Sequence, residues 1–199
     1  MRRAILTALT GAVLLTAIIV IQRATPDVDR LYAPIASRGR LGEQVNTTAF
    51  QFRVDRVQVA GSVRMMDEIG LLGKPRGTGG VWVVVWATIA ATSEAVLVQG
   101  TRLRAADGTE YQANTSIFYT LEKTPLQPGI PMYGPMLFEI PKDRLAGMWL
   151  AVRRYSGGAR ALDTLGPAVD VDLGLSAAYA ARLVASAPPS LTVGMVRAL

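Results

Sequence analysis

The chain has 199 residues, 50% of them apolar and 18% charged, and its formal net charge is +6. That balance fits one folded domain with its own core and argues against long disorder. With neither cysteine nor histidine present, disulfides, thiolate nucleophiles, thiolate metal sites and histidine-based triads are excluded, and the commonest general base is missing.

In chain order, Met1-Arg2-Arg3 precedes an uncharged apolar run, Ala4–Ile21. As a helix this run covers about 27 Å at 1.5 Å per residue, near the lower limit for a bilayer span. Gln22 and Ala24 make a poor small-x-small cleavage site, and no cysteine follows that could carry a lipid. The expectation is an uncleaved signal-anchor over 1–22, with the N-terminus cytoplasmic and the remainder extracytoplasmic. Arginines flank both ends of the run, so orientation rests on the basic start and the apolar core rather than on the charge count.

Residues 23–40 hold Pro26 and Pro34 without a sustained period, and read as a juxtamembrane linker. A sandwich is expected over 41–166, beginning with a strand at Leu41–Val45. Phe50 to Val54 alternates apolar and polar, Asp55-Arg56 breaks phase, and Val57-Gln58-Val59 resumes it, which predicts one strand with a bulge. Gly61–Gly80 is rich in glycine and contains Pro75, so it reads as a long loop. Val81–Ala90, almost wholly apolar, is the strongest strand signal in the chain.

Shorter strands follow at Ala95–Val98, Thr101–Arg104 and Glu110–Ala113, the last two joined by an Asp107-Gly108 turn. Leu126-Gln127-Pro128-Gly129 is a second turn, and strands at Met136–Ile140 and Met148–Val152 follow it. Residues 167–199 are expected to form an extension that packs on the sandwich. Its parts are a half-exposed strand at Val169–Leu173, a helix capped by Ser176 and running to Ala185, and an edge strand at Leu191–Val196. Many short strands with regular turns predict an all-β, immunoglobulin-like β-sandwich.

Several motifs occur in a familiar order. Gly79-Gly80 leads into Val81-Trp82-Val83-Val84-Val85. Leu103-Arg104-Ala105-Ala106-Asp107-Gly108-Thr109-Glu110-Tyr111 follows, then Leu126-Gln127-Pro128-Gly129 and Gly134-Pro135-Met136-Leu137-Phe138-Glu139-Ile140-Pro141-Lys142-Asp143. From Leu41 to Val152 the chain resembles a bacterial domain-of-unknown-function family with an immunoglobulin-like sandwich, similar to secreted actinobacterial immunogenic antigens. The resemblance implies an extracytoplasmic position and no established catalytic site. It also implies that the Val/Ile side of Val81–Ala90 faces the core, leaving Trp82, Val84 and Trp86 outward.

An exposed Trp82, Val84 and Trp86 patch would suit a protein partner, because Trp is enriched at interface centres. The competing reading is that the C-terminal extension covers it, with Tyr179 and Leu183 as lids. The 61–80 loop, with Met65-Met66-Asp67-Glu68 and Leu71-Leu72, is a second partner-binding candidate. Asp170 with Asp172, and Asp67 with Glu68, supply carboxylate pairs but no calcium-loop spacing, so no metal or cofactor is expected. Asn46-Thr47-Thr48 and Asn114-Thr115-Ser116 match the glycosylation pattern but read as turn residues. Arginines at 38, 40, 53, 56, 64, 76, 102 and 104 are scattered among acids, so no nucleic-acid stripe is expected. Arg153-Arg154-Tyr155 with Gly157, Gly158 and Arg160 reads as a solvated hairpin loop rather than a phosphate site.

The expected function is a non-catalytic, membrane-anchored binding or scaffolding module that is accessory to a cell-envelope or membrane-transport complex. Its expected partner is another envelope or membrane protein. The alternative is a surface or periplasmic protein holding a lipid or small molecule between its sheets.

Overall fold

The computed structural model describes residues 2–24, 34–67, 69–114, 116, 120–155 and 166–199, and within its first helix the side chains of 10–11 and 13–23. Two compact units emerge, Met1–Ala33 and Pro34–Leu199. The first contains helix α1, Arg2–Ala24. Among the described residues no helix is long and apolar enough to cross a membrane.

The second unit is mostly β, two sheets packed as a sandwich. In chain order its strands are β1 Ile35–Arg40, β2 Gln44–Asn46, β3 Phe50–Met65, β4 Arg76–Ala91, β5 Arg102–Arg104 and β6 Glu110–Gln112. They continue with β7 Met132–Ile140, β8 Trp149–Arg153, β9 Pro167–Asp172, β10 Leu191–Val193 and β11 Arg197–Ala198, and helix α2, Ala177–Ala185, lies between β9 and β10. The first sheet runs β1-β9-β8-β5-β6 and the second β10-β3-β4-β7-β11, with β2 also paired to β3. Two pairings are parallel, β1 with β9 and β10 with β3; the other strand pairings are antiparallel.

Between the sheets, side chains alternate into one core. Phe50, Phe52 and Val54 enter from β3, Val81, Val83, Val85, Ala87 and Ile89 from β4, and Met136, Phe138 and Ile140 from β7. The first sheet answers with Leu103, Leu150, Val152, Val169 and Val171. Period-2 patterning produces this result, since one face of each strand must be apolar to meet the other sheet. Gly80 sits where β4 enters the sheet, and a Cβ there would land on the Ile140 carbonyl oxygen of β7. That close backbone approach is what the Gly79-Gly80 lead-in provides.

Local expectations hold where they rest on local chemistry. The β3–β4 register shifts between Val54 and Arg56, at the expected bulge. Gly108 and Gly129 occupy positive φ, 86° and 75°, in the two expected turns. The Ser176 hydroxyl accepts the Tyr179 N–H at 3.3 Å and caps α2.

Boundaries differ where pairing is long-range. Residues 35–40, assigned to the linker, are strand β1. The two ends of the 61–80 segment are strand, because β3 continues to Met65 and β4 begins at Arg76. Residues 167–172, assigned to an extension, lie inside the first sheet as β9, between β1 and β8. Ala95–Val98 forms only isolated bridges, Val96 to Leu126 and Val98 to Arg154. Backbone hydrogen bonds from distant strands settled each of these points, and no local propensity encodes such partners.

Candidate functional site

The second sheet has a further apolar face, turned away from the sandwich core. Trp82, Val84 and Trp86 point to this side as expected, but they are not exposed: their exposures are 2%, 0% and 6%. This corrects the expectation of an open patch. Val63, Leu137 and Val193 complete a second buried cluster, flanked by Met65, Tyr133 and Leu191. Tyr179 and Leu183 are not the lids; Leu183 packs on the main core, and Tyr179 is exposed. The cover comes from the far end of β3 and from strand β10, which belongs to the expected C-terminal extension.

Each indole N–H finds an acceptor, as burial demands. Trp82 Nε1 donates to the Arg76 carbonyl at 2.9 Å, and Trp86 Nε1 donates to Gln58 Oε1 at 2.7 Å. The Trp86 ring lies between the Arg56 guanidinium, 4.8 Å from its centroid, and Tyr133, stacked at 5.5 Å. Arg197 of β11 then lies 5.6 Å over Tyr133. This cation-aromatic stack ties β3, β4, β7 and β11 together.

The cluster forms the base of a protruding hairpin. β10 is fastened along β3: Gly61 N donates to the Pro188 carbonyl at 3.0 Å, the Ser62 hydroxyl to the Pro189 carbonyl at 2.8 Å, and Met66 N to the Val193 carbonyl at 3.0 Å. Met65 packs on the tryptophans and Met66 bridges to Leu72; both methionines are half-buried.

Beyond them the tip is held by one carboxylate. Asp67 Oδ1 accepts the Leu71 N–H at 2.7 Å and the Ile69 N–H at 3.1 Å, while the Asp67 N–H reaches the Leu71 carbonyl at 2.9 Å. Gly70 supplies φ +82° for the turn. The fastened backbone leaves three aliphatic side chains in solvent: Ile69 is 79% exposed, Leu71 62% and Leu72 50%. Lys74 and Arg76 are exposed beside them. Sequence reading placed function in this segment through its irregularity. The structure adds to that segment three exposed aliphatic side chains beside the Asp67 hydrogen bonds, marked in the sequence by Asp67 preceding Ile69-Gly70-Leu71-Leu72.

The carboxylate candidates do not converge. Asp67 is committed to the turn, and Glu68 lies outside the described residues. Asp170 pairs with Arg104 at 3.4 Å, and Asp172 Oδ1 accepts the Gly174 N–H at 2.9 Å. Among the described residues no group of three or more acidic side chains could hold a metal ion. In the dense basic segment, Arg154 pairs with Glu94 at 2.9 Å; residues 156–160 lie outside the described set.

One carboxylate is buried. Glu122 is 1% exposed and accepts the Thr101 N–H on Oε1 at 2.6 Å. Burial raises its pKa above the usual glutamate range, against the lowering effect of the Thr101 N–H.

No family model matches the chain, and no curated protein matches it. Among solved structures, the secreted protein MPT63 of Mycobacterium tuberculosis is similar at 16% identity and TM-score 0.48, over 69% of this chain and 98% of that one. The yjhA protein of Bacillus subtilis is similar at 16% identity and TM-score 0.49, over 67% of this chain and 99% of that one. An uncharacterized β-sandwich protein of Clostridium difficile shows 11% identity and TM-score 0.44, over 70% and 95%. The likeness is to the arrangement of strands and reaches no further.

Proposed function

We propose that the chain is a membrane-tethered, extracytoplasmic, immunoglobulin-like module that binds another envelope or membrane protein through the apex of the β3–β4 hairpin. One observation carries this reading: Ile69, Leu71 and Leu72 stand in solvent on a turn whose backbone is already hydrogen-bonded in place. Clustered exposed aliphatic side chains are costly to leave in water and gain on burial against a partner. A pre-formed turn also reduces the ordering entropy lost on association.

The tether is α1. Its 23 residues would reach about 35 Å as a helix. The described apolar side chains Val13, Leu14, Leu15, Ile18, Ile19, Val20 and Ile21 are all exposed, so every face of this stretch is apolar. A helix apolar all round belongs in a core or in lipid. Tethering raises the effective concentration of the apex toward other membrane proteins, so a modest interface suffices. Between the sheets the space is filled by Phe50, Phe52, Phe138, Leu103 and Met136, all essentially inaccessible, which favours this reading over an inter-sheet ligand.

The test is affinity recovery of the tagged full chain from gently solubilised native membranes. A stoichiometric partner is expected with the natural apex and is lost with Ile69→Ser, Leu71→Ser and Leu72→Ser combined. Undiminished recovery of the same partner by that variant, at unchanged thermal stability, overturns the assignment of the apex. Release of the protein from membranes by alkaline carbonate overturns the tether.

A further inference from the structure

Four of the arginines that look scattered in sequence, Arg38, Arg40, Arg102 and Arg104, meet Arg153 on the outer face of the first sheet. Strand register places Arg40, Asp172, Trp149, Arg104 and Glu110 in one row across β1, β9, β8, β5 and β6. Arg38, Asp170, Ala151, Arg102 and Gln112 form the next row, and Arg153 stands beside Ala168. Each row crosses five strands, about 19 Å at the usual strand spacing. Ala151 is 1% exposed although it points outward. Arginine stems cover apolar surface of this kind while their heads stay polar.

Two of these arginines are paired: Arg102 with Glu110 at 2.8 Å and Arg104 with Asp170 at 3.4 Å. Among the described residues Arg38, Arg40 and Arg153 form no ion pair. The Nε atoms of Arg102 and Arg153 are shielded from water and have no hydrogen-bond partner among the described residues. An open cleft of about 520 Å³ lies over the β1 end, lined by Arg38, Arg40, Glu43, Trp149 and Asp172. Trp149, half-buried, forms part of its wall.

We propose that this face binds an acidic polysaccharide, a chain of sugar rings bearing carboxylates. Three guanidinium groups without carboxylate partners supply the complementary charge, in the fork geometry that pairs with a carboxylate. The indole offers an apolar plane for the C–H face of a ring. Asp172 and Glu43 distinguish a sugar from a polyphosphate, because a phosphoanhydride chain presents only acceptors and would leave both carboxylates facing like charge. Sugar hydroxyls donate to them while accepting from the arginines. The proposal is independent of the hairpin apex.

The probe is polygalacturonate, titrated into the full chain in a polyoxyethylene detergent and followed by Trp149 fluorescence and calorimetry. Trp82 and Trp86 are buried, so a quench or protection reports Trp149. Saturable binding that weakens with salt is expected. Trp149→Ala should weaken it by up to about tenfold, Arg38→Gln with Arg40→Gln should flatten the salt dependence, and the triple serine apex variant should bind normally. The two Arg→Gln changes lie on exposed positions of an edge strand, so they keep the test valid should Trp149→Ala fold poorly. Absence of saturable binding overturns the site. Equal binding by polyphosphate, or equal binding by the Arg→Gln double variant, overturns the assignment to an acidic sugar.

Discussion

The two outer sheet faces begin from the same sequence pattern and end in opposite states. On β4, Trp82, Val84 and Trp86 alternate outward and become buried under β10 and the far end of β3. On β8, Trp149, Ala151 and Arg153 alternate outward beside arginine and carboxylate side chains of the neighbouring strands. The difference lies in what each strand has for neighbours. Beside Trp86 the partners are Tyr133 and Arg56, whereas beside Trp149 they are Arg104 and Asp172. Trp86 is closed in between an aromatic ring and a guanidinium, whereas Trp149 stays half-buried beside charged side chains.

The sharpest way to break this comparison is to truncate one tryptophan on each face. Trp82→Ala should cost about 3–5 kcal/mol, the usual loss for a large core aromatic. Trp149→Ala should cost no more than about 1 kcal/mol, as for a site outside the core. Denaturant unfolding measures both, and equal losses would mean that the two faces are built alike.

Glu122 gives a smaller effect and contrasts a buried carboxylate that has no ion pair among the described residues with the ion-paired ones of the first sheet. Its raised pKa means that the folded chain holds this proton more tightly than the unfolded chain. Stability should therefore fall as pH rises from the ordinary value of 4.5 through the folded value, with the loss complete above it. Glu122→Gln keeps an acceptor for the Thr101 N–H and removes the charge. Its melting temperature should exceed that of the natural protein at pH 7, and the gap should close below the ordinary value; a gap independent of pH would contradict the burial effect.

The smallest effect belongs to Arg104→Gln, which breaks the pair with Asp170 at a position about one-third exposed. A loss below about 1 kcal/mol, shrinking with salt, is expected by chemical denaturation. A loss of several kcal/mol would show that this face is a structural network rather than an open surface.

Much of the sandwich was legible because its strands carry local signals. Val81–Ala90 declares itself by β-branched and aromatic density, the Asp55 bulge by a phase slip, and the α2 start by Ser176. Strand β1 was assigned to the linker because it is short and pairs in parallel with a partner far along the chain, whereas β10 lies at a sheet edge within the expected Leu191–Val196 strand. The inward direction of Val83 and Val85 was readable from alternation, and so was the outward direction of Trp82. Whether that outward side met water was not readable, because Val193 and Val63 reach it only through the fold.

The sequence alone therefore determined which residues form strands and turns, which side of each strand is apolar, and which chemistries lack their side chains. Those properties depend on neighbours within a few positions and on composition. Tertiary structure alone decided that two tryptophans are buried and one only half-buried, that Asp67 fastens an aliphatic apex, and that arginines from β1, β5 and β8 share a face. The physical reason is that burial and charge density are sums over neighbours in space, and pairing brings those neighbours from every part of the chain.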